Sequence, residues 1–186
     1  MSMKSSWIGA AVAAGAVMIA APAFAGDTLC LWNHVPQAKR DAFLAKGDLE
    51  NPQEAMNGNV IADADVNASV LACSVKVEQA EAAKAAFVGY AMTAVLGRWF
   101  EVHEKTSPEK LEAAWQGLAA ADRATLQKLA TNEIAGEPSK DTFHAFIVGA
   151  GFDPAVRKDL MQTPTGEFLF IYMMGRALRA GNEPKF

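Results

Sequence analysis

Residues 85–97, AAFVGYAMTAVLG, carry the reading that decides the fold class. Thr93 alone interrupts an otherwise apolar stretch of thirteen residues. That is too short to cross a bilayer, which takes roughly 20 apolar residues. A helix that is apolar on every face belongs among other helices, where each face meets a neighbour. The whole segment, Glu78 to about Lys105, opens on the polar residues Gln79, Glu81 and Lys84 and is the longest helix the sequence predicts. Gly89 and Gly97 are the positions in it where a neighbouring helix can approach closely. A second continuous apolar run, Phe168 to Met174, marks the other central helix. Thr163-Pro164 opens it, with Glu167 in the first turn, where the helix dipole favours an acid. Arg176 and Arg179 stand in its last turns, and Gly181 and Pro184 end it.

Helix punctuation recurs on both sides of the long segment. Val35-Pro36 opens a helix through Phe43-Leu44, with Gly47 as its stop. Residues 47–62 are rich in Gly, Asn and Pro and read as a loop with one helical turn at Gln53–Met56. A short helix follows over Asp63–Val75. Ser107-Pro108 joins a good N-cap to a proline suited to the first turn, and Leu111, Trp115 and Leu118 give that helix one buried face. Asp122 is expected to cap the next helix, with Leu126, Leu129 and Ile134 facing in. Ser139 caps another, carrying Phe143, Phe146 and Ile147, and Gly149-Ala150-Gly151 stops it. Asp153-Pro154 opens a brief polar helix to about Met161. Strand signal is confined to Cys73–Val77. The expected fold is all-α: a single-domain orthogonal bundle of about seven or eight helices over residues 26–186.

Residues 1–25 read as a secretory signal peptide. Lys4 is the positive start, Trp7–Ala21 the apolar run, and Ala23-Phe24-Ala25 the small-residue pattern before cleavage after Ala25. The expected product is periplasmic or secreted, with no stable membrane anchor after cleavage. Losing the leader removes Lys4 and no acid, so the formal charge moves from −4 to −5. The cations (Lys39-Arg40, Arg98, Arg157-Lys158, Arg176, Arg179) never merge into a stripe, which argues against nucleic acid as a partner. In an oxidising compartment Cys30 and Cys73 are expected to form a disulfide; two separate thiols are the alternative. The residues before Cys30 do not form a lipoprotein signal, and no Cys-x-x-Cys-His attaches a haem.

Motifs for chemistry are sparse. His34, His103 and His144 lie far apart, no metal-binding His or Glu spacing occurs, and no Cys/His cluster is evident along the chain, so no cofactor is expected. No Gly-x-Ser-x-Gly elbow is present. Gly149-Ala150-Gly151 follows a helix rather than a strand, so it reads as a helix stop. Met161, Met173 and Met174 read as core filling. The densest titratable group is Glu101, His103 and Glu104, with Glu109 nearby. Such a Glu/His pair at a helix end suits proton transfer or metal binding; the bland reading is an Arg98–Glu101 ion pair and solvated acids. Trp32-Asn33-His34 is the remaining candidate, either a recognition edge or an arm packed on the bundle. These features lead to a non-enzymatic binding protein for a protein partner or a small apolar ligand held between helices. The alternative is a cell-envelope hydrolase or lyase using glutamates near 101–109.

Overall fold

Ser107, Ser139 and Thr163 each place a side-chain oxygen on a free amide at a helix start. Lys110 N, Thr142 N and Gly166 N donate to them at 3.4, 3.0 and 3.4 Å. Each cap satisfies one of the amides that the first turn leaves without an intrahelical partner. Pro108 and Pro164 follow two of these caps at the first helical position. The computed structural model describes residues 27–52, 60–153, 155, 157 and 159–186. The expected leader and the turn at Gln53–Met56 lie outside these residues, as do Pro154, Val156, Lys158 and the side chain of Met161.

Eight α-helices lie within the described residues, and no strand does. In chain order they are α1 (Thr28–His34), α2 (Gln37–Leu44), α3 (Asp63–Ala72), α4 (Ala80–Trp99), α5 (Pro108–Gly117), α6 (Ala120–Ala130), α7 (Lys140–Gly149) and α8 (Pro164–Asn182). The fold is an all-α bundle, with α4 and α8 packed against each other as its spine. Every helix feeds one apolar core: Leu31, Phe43, Val70, Leu96, Leu111, Leu126, Phe146 and Leu169 are all buried. No helix among the described residues is long and apolar enough to cross a membrane.

Four expectations are corrected. The arm around Trp32 is the helix α1, capped by Asp27, whose Oδ1 accepts from Leu29 N at 2.9 Å. Asp122 is not a cap; α6 begins at Ala120, so the acid lies in the first turn. Ile134 faces solvent, because Asn132 takes a left-handed turn (φ 58°) that ends the helical path before it. Cys73–Val77 is no strand: Ser74 turns left-handed (φ 56°), and Val75 N bonds back to Val70 O at 3.2 Å. The polar helix expected from Asp153 falls partly outside the description, and a 3₁₀ turn spans Leu160–Gln162.

The paired cysteines behave as expected. Cys30 on α1 and Cys73 at the end of α3 form a disulfide, with Cα atoms 6.0 Å apart. Lys39 on α2 holds Asp65 on α3 at 2.6 Å and ties the same corner a second time.

Candidate functional site

A cleft of about 380 Å³ opens between α4, α5 and α8. On α8, Tyr172, Arg176 and Arg179 fall at i, i+4 and i+7 and share one face. Glu109 and Glu112 come from α5 at i and i+3, and Tyr90 and Thr93 from α4. The cleft is thus bounded by two cations on one helix, two carboxylates on a second, and a tyrosine from each of α4 and α8.

Arg176 and Glu112 form a two-pronged pair, with Nε to Oε2 at 2.7 Å and Nη2 to Oε1 at 2.9 Å. Gln116 adds a hydrogen bond to the same carboxylate at 2.8 Å. The guanidinium lies 5.6 Å from the Trp115 ring centroid, while its Nη1 is buried without a hydrogen-bond partner among the described residues. Arg179 donates to Glu183 at 2.7 Å and stands 5.0 Å from the Tyr90 centroid. Thr28 donates to the same Glu183 oxygen, which joins α1 to this end of α8.

Burial opposes ionisation of Glu112, but hydrogen bonds from Arg176 and Gln116 and the Arg176 charge outweigh it, so its pKa falls. Glu109 is also lowered, by the Ser107 hydroxyl and its own backbone amide. No salt bridge reaches Glu109 among the described residues. Burial raises Tyr172, and the neighbouring Glu112 charge adds to that, so the phenol stays protonated. Burial likewise raises Tyr90, against the opposing charges of Arg179 and Arg40.

The Arg176 side chain is only 14% exposed, so losing its partner leaves a poorly solvated cation. Glu112→Gln is expected to cost about 1–2 kcal/mol, less than the roughly 3–5 for a fully buried pair, because Glu112 is partly in solvent. The folded-state pKa of Glu112 lies below its unfolded value. Its contribution is therefore complete above the ordinary carboxylate range and is lost as pH falls through the depressed value. Thermal unfolding of both proteins from neutral pH down to about 3 checks this: the gap between them should close toward the acid end.

The sequence candidates distribute differently. Glu101, His103 and Glu104 occupy a π-helical turn, Phe100–Glu104, that continues α4. They do not converge. Glu101 pairs with Arg98 at 3.2 Å, which also holds Asp48 at 2.7 Å. Glu104 pairs with Arg157 at 3.0 Å and accepts from Thr165. His103 stacks on Trp99, centroids 5.0 Å apart. The unfavourable acids at this helix end are thus neutralised individually, and Lys105 Nζ caps Val102 O at 2.7 Å. Glu109 alone of this group lines the cleft. His144 is exposed. Trp32 is buried against Phe43, Phe87 and Tyr90, so it packs α1 onto the bundle and is no recognition edge.

His34 has a different setting from the one its isolation in sequence implied. α1 places it one turn after Cys30, with Nδ1 2.9 Å from Cys30 O. The same nitrogen lies 3.6 Å from Cys30 Sγ and 3.4 Å from Cys73 Sγ. A Cys/His cluster does exist here, contrary to the expectation from spacing, and its three donor atoms lie within 4.8 Å of one another. The Cys30-x-x-x-His34 spacing was the available signal; it has meaning only once residues 28–34 are helical.

The chain matches no family model, no curated protein and no solved structure.

Proposed function

We propose that the protein is exported, trimmed after Ala25, and binds a small zwitterionic molecule in the cleft between α4, α5 and α8 without converting it. The carrying observation is the facing arrangement of Arg176 and Arg179 on α8 and Glu109 and Glu112 on α5, beside Tyr90 and Tyr172. A carboxylate on the ligand suits the arginines, an ammonium suits Glu109, and an apolar body suits the rings. The volume falls at the small end of ligand sites, about 300–1,000 Å³. These opposed charges beside the rings favour an amino acid or short peptide over the small apolar ligand expected from the sequence. Both carboxylates are lowered in pKa, the wrong direction for a general acid at neutral pH, which supports binding over hydrolysis. The three-part leader supports export, and a disulfide suits an oxidising compartment.

Thermal-shift and calorimetric titrations with α-amino acids and dipeptides test the reading, with acetate and methylamine as half-ligands. Saturation at about 100 times Kd should add roughly 2.7 kcal/mol, or about 5–10 °C in a domain of this size. Glu109→Gln should weaken binding about tenfold or more, the loss expected for one charge-assisted hydrogen bond. A panel in which no zwitterion stabilises the protein better than the half-ligands would refute it.

A further inference from the structure

We propose that reduction of the Cys30–Cys73 disulfide turns its corner into a zinc-class metal site, with Cys30, Cys73 and His34 as ligands and the fourth position open. None of these three residues lines the cleft.

Two metal–ligand bonds of about 2.3 Å to sulfur and about 2.05 Å to nitrogen, at a tetrahedral angle, put those atoms about 3.5 Å apart. His34 Nδ1 stands 3.6 and 3.4 Å from the two sulfurs. The nitrogen already stands at the required distance from both, and a turn of the ring brings its lone pair from Cys30 O toward the ion. The sulfurs must separate to about 3.8 Å to share the ion, which rotation of the two cysteine side chains supplies across a Cα separation of 6.0 Å.

The scaffold does not depend on the sulfur–sulfur bond alone. Cys30 and His34 sit one turn apart on α1, whose Leu31 and Trp32 are buried in the core, as is Val35 just after it. α3 is anchored through buried Val70 and the Lys39–Asp65 pair. Reduction therefore frees two thiols between helices that other contacts hold in place. Two thiolates and an imidazole form a borderline-soft donor set, suited to zinc over magnesium or calcium. The cluster is partly exposed, which leaves a fourth position for water or an outside ligand.

The chemistry balances. The Cys30–Cys73 bond breaks as a dithiol gives two electrons and its two protons and closes into its own disulfide, or as a phosphine takes the oxygen of water and becomes the phosphine oxide while the two protons of that water go to the sulfurs. Metal binding then releases both thiol protons. His34 must also give up the Nδ1 proton it donates to Cys30 O and carry its hydrogen on Nε2 instead, so affinity rises with pH. Disulfide and metal exclude each other, and the free dithiol links the two states of the corner.

The test uses the purified protein reduced with a phosphine under anaerobic conditions and titrated with cobalt(II), then displaced with zinc. Thiolate-to-cobalt charge-transfer absorption, intense tetrahedral d–d bands and one metal per chain are expected. Cys73→Ser should abolish the charge-transfer signature. His34→Ala, a change at an exposed position, should weaken binding at least about tenfold, since even indirect supports of metal ligands cost 10- to 100-fold. The oxidised protein should give no signal. Circular dichroism of the reduced protein accompanies the titration. Absence of the cobalt–thiolate band would overturn the proposal, whether or not the reduced chain keeps its helices. Half a metal per chain, or unchanged affinity in His34→Ala, would overturn it equally.

Discussion

Replacing Cys30 and Cys73 together by serine is expected to lower stability by about 4 kcal/mol. The bridge closes a loop with a sequence separation of 43, and the chain-entropy relation assigns roughly 4 kcal/mol to a loop of that length. The native side of the balance adds little to this cost. α1 keeps Trp32 among Phe43, Phe87 and Tyr90, and Thr28 keeps its bond to Glu183. The effect therefore comes mainly from the larger freedom of the unfolded chain. For a domain of this size it should appear as a fall in Tm of about 8–16 °C, read by circular dichroism against the oxidised protein. A fall below about 3 °C would mean that the bridge does not constrain the unfolded ensemble.

Gly89→Ala is expected to cost about 3 kcal/mol, although alanine favours a helix interior by about 1 kcal/mol over glycine. A Cβ at Gly89 would stand 2.5 Å from Gly175 O and 2.7 Å from Arg179 N, both backbone atoms of α8. Neither can yield unless the two central helices move apart. Separation would loosen the packing of Leu96, Leu169 and Met173 and shift Arg179 away from Tyr90. Gly117→Ala is the counter-case: nothing lies within 4 Å of its added methyl, so stability should hold or rise slightly. Thermal unfolding of the two variants side by side checks the account through the opposite signs. Gly97 belongs with the tolerant position. Its nearest neighbours are Pro108 side-chain atoms at 3.5 Å, an ordinary contact. Of the two glycines that the sequence offers for close approach, only Gly89 makes it.

The architecture was legible wherever a local signal sufficed. The all-round apolar run at 85–97 located α4 in the interior, and the Ser-Pro and Thr-Pro starts located α5 and α8. α1 was not legible because seven residues are too few to display a helical period, and its cap, Asp27, is seen only in the structure. The cleft was hidden for another reason. Arg176 and Glu112 are 64 residues apart, and their pairing arises from how α5 packs beside α8. The stripe Tyr172, Arg176 and Arg179 could be read from spacing, but the facing carboxylates could not. The acids at 101–104 attracted attention by density alone, and density does not reveal that each one pairs with a different element. Cys30, His34 and Cys73 show the converse case, scattered in sequence and adjacent in space.

Export belongs to the proposed function and the Cys30–Cys73 bridge to the two-state corner, and one mass addresses them together. Intact-protein mass spectrometry of the chain recovered from its producing cells, without reductant and with free thiols blocked, should give the mass of residues Gly26–Phe186 less two hydrogens. A full-length chain beginning at Met1, or a product with both cysteines alkylated, would contradict the account.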